Sequence, residues 1–304
     1  MAGSQDFAAD ERNQNLVALI NGELVPTDQA KVSLFDAGFA LGDGVWEGIR
    51  VHRGVMLFLE THLDRLYDGA AALRIEFGLS REALVKQLQG LIAANQMVDG
   101  GHIRLMVTRG RKRTINQDPR FTIGGATIAA TAEFKIPPPN AKPLALAFSR
   151  IRTSSEDVFD MHLNTHSRVN YIRALLDVID KGADEAIMLD PAGFVASCNA
   201  TNLFWVKQGT VFTSRDQYCF NGITRSNIIG LCKSGIAPLQ QGDCLPGHLK
   251  AADEVFVTGT MGGVTPVGSI DERQLIQSPG PVTISLAKAY EELKDNYADE
   301  HCAE

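Results

Sequence analysis

Apolar and polar residues alternate through "LVALINGELVPTD" (16–28) around an Asn-Gly pair. A period of two about such a pair predicts a β-hairpin. "VWEGIRVHRGVMLFL" (45–59) repeats the pattern around Arg53-Gly54. The period then lengthens. "LETHLDRLYDGAAALRI" (59–75) spaces its apolar residues as a helix does, with Thr61 as its expected N-cap. "SREALVKQLQGLIAANQ" (80–96) predicts a second amphipathic helix, opened by Ser80. "GHIRLMVTRG" (101–110) and "GGATIAATAEF" (124–134) read as strands.

"KIPPPNAKP" (135–143) interrupts this series. Consecutive prolines fix an extended backbone and fit neither a helix interior nor a central strand, so this is the expected linker. The pattern then restarts. Strands are expected at "LALAFSRI" (144–151), "EAIMLD" (185–190), "NLFWVKQGTVFTS" (202–214) and "EVFVTGT" (254–260). Helices are expected at 167–182, 224–235 and 283–300, with Gly182 at a helix C-terminus. The reading is α+β in two domains, 1–134 and 144–304, joined by 135–143.

Composition narrows the function classes. The chain has 304 residues and a net charge of −7. An acidic chain does not offer the basic surface that nucleic acids or anionic membranes require. The basic run "RGRKR" (109–113) reads as a solvated hairpin. No apolar stretch approaches the roughly 18 residues of a spanning helix. The polar start, "MAGSQDFAADERNQN", reads as a loose arm rather than a targeting segment. Cys198, Cys219, Cys232, Cys244 and Cys302 are odd in number and lack metal-ligand spacing. They point to free thiols in a reducing cytoplasm.

Six stretches occur in one order across nearly the whole chain: "FDAGFALGDGVWEGIRV" (35–51), "HLDRL" (62–66), "VTRG" (107–110), "GADEAIMLDPAGFV" (182–195), "GITR" (222–225) and "ADEVFVTGTMGGVTPV" (252–267). Together they resemble the class IV aminotransferases, the fold-type IV family dependent on pyridoxal phosphate. That family includes branched-chain and D-amino-acid aminotransferases and aminodeoxychorismate lyase. The resemblance implies two α/β domains with the cofactor in the cleft between them, and a homodimer whose subunits help to close each other's sites. It also implies a small amino or keto acid as substrate. Arg65 of "HLDRL" matches the family's phosphate-binding arginine. "GITR" looks like a glycine-led turn opening a helix, whose N–H groups at Ile223 and Thr224 suit an anion. Thr260 of "TGT" would add a hydroxyl. The alternative reading has Thr224 as a simple helix cap and Arg65 paired with Asp64 or Asp68.

The chain departs from the family where its chemistry resides. The column of the cofactor-linking lysine holds Asn164 when aligned to the lyase and D-amino-acid branch, and His166 when aligned to the branched-chain branch. The nearest lysines, Lys142 and Lys181, fall in the linker and at the far end of the helix. An amide nitrogen neither forms an imine nor carries a proton. Ser197 stands where the family places a glutamate against the pyridine nitrogen. A polar cluster replaces these groups: His162, Asn164, His166, Arg168, Tyr171, Ser197, Cys198 and Asn199. Tyr171 either stands at the core edge or takes the place of the family tyrosine near the cofactor's phenolic oxygen. Cys198 is either a nucleophile or a small buried thiol. His162 and His166 lack a third metal ligand, so no metal is expected.

Three readings follow. One is a conventional pyridoxal-phosphate transaminase or lyase. The second keeps the anion site but works without a lysine-linked cofactor, holding pyridoxal phosphate non-covalently or doing without it. The third is a non-catalytic binding paralogue. Arg104, Arg109 and Arg111 either hold a substrate carboxylate or are solvated.

Overall fold

The computed structural model describes residues 4–138 and 141–302, so Pro139 and Asn140 of the expected linker lie outside it. The chain divides into two compact units. The N-terminal unit takes Ala8–Ile136, the short segment Leu163–Arg168 and the chain from Asp295 onward. The C-terminal unit takes the arm up to Phe7, Pro137–His162 and Val169–Lys294. The main division falls inside the proline-rich stretch, but the three exchanged segments are not visible in the periodicity.

In the N-terminal unit the elements are β1 (Val17–Ile20), β2 (Glu23–Pro26), α1 (Ala37–Leu41), β3 (Gly44–His52), β4 (Val55–Met56), α2 (Leu59–Ala72), α3 (Arg81–Ala94), β5 (Gly101–Thr108) and β6 (Thr127–Phe134). The strands form one antiparallel sheet in the order β2-β1-β6-β5-β3-β4. Both expected hairpins are present. Asn21 and Gly22, like Arg53 and Gly54, have the positive φ that a two-residue turn needs to match strand twist. Leu63 and Leu66 of α2 and Leu84, Leu88 and Leu91 of α3 join Ile49, Ile103, Leu105 and Val107 of the sheet in one core. Ser80 caps α3 by accepting from the Ala83 N–H at 3.2 Å. Thr61 does not cap α2. The chain leaves β4 through Phe58 in the left-handed region, so the helix already starts at Leu59 with no side-chain cap.

The C-terminal unit contains β7 (Leu144–Phe148), α4 (Val169–Ile179), β8 (Glu185–Leu189), β9 (Val195–Cys198), β10 (Asn202–Lys207), β11 (Thr210–Thr213), α5 (Ile223–Lys233), β12 (Leu239–Gln241), α6 (Pro246–Lys250), β13 (Glu254–Gly259), β14 (Gly263–Ile270), β15 (Arg273–Gln274) and most of α7 (Pro281–His301). Its mixed sheet runs β12-β11-β10-β13-β14-β7-β8-β9, with β15 on β14. The single strand expected over 202–214 is two antiparallel strands, because Gln208 and Gly209 both take positive φ and reverse the chain. The arm is not loose throughout. Ser4 is buried and its hydroxyl donates to the carboxyl of Glu185. No described helix is long and apolar enough to cross a membrane.

Candidate functional site

Leu163–Arg168 runs beside the first residues of β3. The Trp46 N–H donates to the Asn164 carbonyl and the His166 N–H to the Gly44 carbonyl, each at 2.9 Å. Thr165 forms an antiparallel bridge with Val45. The side chains tighten the same contact. Asn164 donates its amide N–H to the Trp46 carbonyl and accepts on its amide oxygen from Arg168 Nη2. His166 Nε2 lies 3.2 Å from the Val45 carbonyl, and Ser167 Oγ donates to the Gly42 carbonyl at 3.2 Å. Burial lowers the pKa of His166, which favours a neutral ring whose Nε2–H donates to that carbonyl. Asn164 and His166 therefore act here as locks on β3.

The lock surrounds Trp46. Its indole N–H donates to the Thr165 carbonyl at 3.0 Å. Arg104 of β5 lies over the ring at 3.7 Å and Arg168 at 5.0 Å, both within cation–π reach. Burial, followed by the charge of Arg168, holds the Arg104 pKa below its usual range. Arg104 forms no ion pair among the described residues, whereas the neighbouring Arg109 is held by Asp43 at 2.5 Å.

Deeper in β3, Glu47 is closed off from solvent. Arg65 reaches it with two donors, Nε to Oε1 at 2.8 Å and Nη2 to Oε2 at 2.7 Å. His62 Nδ1 lies 2.6 Å from Oε2. His62 and Arg65 are three residues apart on α2, which puts both on the face toward β3. Burial pushes the carboxyl up, but Arg65 and His62 together bring it below its usual value. Burial holds His62 neutral. Arg65 is thus tied to Glu47, not to Asp64 or Asp68 as the alternative sequence reading had it. Asp64 pairs with Arg81 instead.

In the C-terminal unit, "GITR" does open a helix. Gly222 is the N-cap of α5 and Ile223 its first residue. A Cβ on Gly222 would collide with Asn202 Oδ1, so only glycine fits. Asn202 fixes the turn by donating to the Phe220 carbonyl at 2.7 Å. The first N–H groups of α5, at Ile223 and Thr224, have no intrahelical partner by construction. Thr224 Oγ1 lies 3.5 Å from the Tyr290 hydroxyl. Arg225 turns away into the core, donating to the Ser214 carbonyl at 2.7 Å. Thr260 is half-buried just past β13.

Ser197 and Cys198 lie on β9, both buried. Ser197 Oγ donates to the Thr201 carbonyl at 2.8 Å, and Asn202 Nδ2 is 3.5 Å from Ser197 Oγ. The serine is thereby linked to the "GITR" turn through one asparagine. Asn199 Oδ1 accepts from the Ala186 N–H at 2.7 Å, a structural contact between strands. Burial, then the nearby Glu185 carboxyl, raises the Cys198 pKa well above the ordinary thiol value. Cys198 is a packed thiol and not an activated nucleophile. Tyr171 is a core residue, packed with Met161, Ala174, Val178 and Met188. His162 is held by Asp160 and by the Asp216 carbonyl. Among the described residues, no group of three or more His, Cys, Asp or Glu could hold a metal ion.

The periodicity singled out neither Trp46 nor Glu47. The one available signal was the His62–Arg65 spacing, which implies a shared anionic partner. A phosphorylated cofactor needs a seat for its anion and, in the lysine-linked form, an amine. The α5 N-terminus with Thr224 has the chemistry for the first. The second does not fit. No lysine occurs in 160–171, the Asn164 amide and the His166 ring there are bonded to β3, and Lys142 and Lys181 are exposed.

Residues 44–270 match the family model for amino-transferase class IV. The chain is 39% identical over 285 residues to branched-chain-amino-acid aminotransferase-like protein 2 of Arabidopsis thaliana, covering 93% of this chain but 51% of that protein. It thus spans about half the length of that relative. It is 35% identical over 282 residues to a putative branched-chain-amino-acid aminotransferase of Methanocaldococcus jannaschii, covering 91% of this chain and 96% of that one. Among solved structures, the T.th. branched-chain amino acid aminotransferase with pyridoxamine 5'-phosphate superposes with a TM-score of 0.86 at 28% identity, covering 95% and 97% of the two chains. These matches span both units and carry the two-domain α+β architecture of fold-type IV with them. The chain belongs to the class IV aminotransferases.

Proposed function

We propose that this chain is an enzyme that binds a small amino or keto acid, or a related anion, and holds any pyridoxal phosphate without a covalent bond to lysine. The observation that carries this is Asn164. Its amide is satisfied at both ends, by the Trp46 carbonyl and by Arg168, and no amine stands in its place. When bound, pyridoxal phosphate supplies an electron sink for chemistry at the carbon bearing the amino group. Ile223 and Thr224 would hold its phosphate through N–H and hydroxyl donors, with Thr260 as a further donor. Ser197 offers a neutral hydrogen bond where the family has a carboxylate, so it cannot stabilise a protonated ring nitrogen. Arg104, over the Trp46 ring at 3.7 Å and without an ion pair among the described residues, is the donor assigned to a substrate carboxylate. His166, held neutral by burial, contributes a hydrogen-bond donor rather than a charge.

The homodimer expected of the family belongs to the same proposal. So does a cytoplasmic setting, supported by five cysteines that are all free of disulfides.

Two measurements test the reading. Treatment with pyridoxal phosphate and borohydride, followed by digestion and mass spectrometry, is expected to yield no stoichiometric pyridoxyl-lysine. A single adduct at one lysine restores the conventional mechanism. Calorimetry with phosphate and pyridoxal phosphate is expected to show binding that Thr224→Val weakens. Thr224→Val is a cleaner probe than Arg65→Ala, which would strand the buried Glu47 carboxylate. Equal affinity in both proteins, or none, removes the anion seat. Binding without turnover of any amino or keto acid would favour the binding paralogue.

A further inference from the structure

Between residues 4 and 15 only Ser4 is buried, and Gln5 and Asp6 beside it are exposed. The Ser4 hydroxyl donates to Glu185 Oε1, and the Thr201 hydroxyl donates to Oε2 at 2.6 Å. These two residues also lie against the segment that carries Thr260. A Cβ on Gly259 would stand 3.4 Å from Thr201 Cγ2, and one on Gly262 would stand 3.6 Å from the Ser4 carbonyl oxygen. The backbone on both sides of Thr260 thus rests on residues that Glu185 holds. Thr201 further joins Glu185 to the turn before α5. Its carbonyl accepts from Ser197 Oγ at 2.8 Å, Ser197 Oγ lies 3.5 Å from Asn202 Nδ2, and Asn202 fixes the Phe220 carbonyl.

Glu185 is buried, and burial holds its carboxyl above the ordinary glutamate value. Asp184, next to it in sequence, and Cys198 of β9 are the titratable groups that face it. Asp184 opposes its ionisation, and the thiol stays neutral. A charged Glu185 therefore calls for water. β8, β9 and β10 are tied to neighbouring strands. Ser4 is flanked by exposed chain, so the arm is the cover that lifts at least cost. Linkage gives the sign. The seated arm favours the protonated acid and the lifted arm the hydrated carboxylate, so rising pH releases the arm.

We propose that the N-terminal arm is a strap on the anion seat, in which Ser4, seated against Glu185, steadies the Thr260 segment and lifts when Glu185 loses its proton. Ser4 is a positioning residue, acting through Glu185 and the backbone around Thr260. The inference rests on the anion seat of Ile223, Thr224 and Thr260 proposed above.

A nitroxide label at Gln5→Cys, in a Cys302→Ser background that removes the exposed thiol, reports arm mobility by electron paramagnetic resonance between pH 5 and 9. The label is expected to be immobile at low pH and mobile at high pH, immobile throughout in Glu185→Gln, and mobile throughout in Ser4→Ala. Calorimetry with inorganic phosphate reads the seat. Each variant is compared with the unsubstituted chain at the same pH, so that the titration of phosphate itself cancels. Ser4→Ala is expected to weaken phosphate binding on the order of threefold at pH 5 and not at pH 9. Glu185→Gln is expected to tighten it by a similar factor at pH 9 alone. A label whose mobility ignores pH, or still follows pH in Glu185→Gln, overturns the proposal. Phosphate affinity that ignores Ser4→Ala while Thr224→Val weakens it also overturns the proposal, and leaves the seat standing without a strap. Absence of phosphate binding in every protein removes the seat and the strap's role with it.

Discussion

Glu47 in the N-terminal unit and Glu185 in the C-terminal unit are almost equally hidden, at 0% and 2% exposure, yet their carboxyls shift in opposite directions. Burial raises both. Glu47 meets a bidentate guanidinium and an imidazole, which more than offset the burial. Glu185 meets neutral donors, the hydroxyls of Ser4 and Thr201 and the Ala200 N–H, which do not. Hydroxyls satisfy hydrogen bonds but supply no charge, and in a low-dielectric interior charge decides ionisation. The first glutamate is an anion in a fixed ion pair, and the second is held towards the neutral acid.

Glu47→Gln attacks this contrast most directly. It leaves Arg65 without its counter-charge and is expected to cost about 3–5 kcal/mol in urea unfolding at neutral pH. A loss under 1 kcal/mol would mean that solvent already compensates Arg65. The lowered pKa of Glu47 also fixes a pH direction. Its contribution is present above the ordinary glutamate value and fades as pH falls through the folded one.

Glu185→Gln should do the reverse. A raised pKa means the folded state favours the proton, so stability falls as pH rises from the ordinary glutamate value through the folded one. The amide removes that slope. A gain of about 1 kcal/mol is expected at pH 8 and little change at pH 4. Parallel pH profiles for variant and wild type would show that Glu185 is ionised after all.

His102 extends the comparison to a base. Burial, with Lys135 and Arg104 nearby, drives its pKa down to about 3. Its ring should show no titration by NMR between pH 5 and 8, and stability should decline on acidification below the ordinary histidine value of about 6.5. A midpoint above 6 would show the ring to be solvated. Thiol labelling gives the smallest effect. Cys302 is exposed and should react at once, while Cys198, beside Glu185, should wait for unfolding. Rapid native labelling of Cys198 would contradict its packing.

Much of the fold was legible because its signals are local. The Asn21-Gly22 and Arg53-Gly54 hairpins, the Ser80 cap and the "GITR" helix start each depend on a few neighbouring residues. The strand break at Gln208-Gly209 was equally local and was missed, because apolar residues on both sides concealed it. The site was less legible. Asn164 and Ser197 could be marked as departures, but not Asn164's grip on β3, since Trp46 is 118 residues away. The Glu47–His62–Arg65 group likewise joins a strand to a helix, and Ser4 reaches Glu185 across 181 positions. Partners that remote leave no trace in periodicity.

The doubly bonded amide of Asn164 has a consequence in the genetic code. Asparagine and lysine codons differ at the third base alone, so random mutation can supply an amine here in a single step. Mutational distance is therefore no barrier to an amine at this position. A lysine would surrender the hydrogen bond to the Trp46 carbonyl and bring a second cation against Arg168, loosening the segment that sets both side chains around the indole. A lysine at 164 would be relieved of that repulsion by a change at Arg168, and codon 168 is where compensating substitutions should be sought.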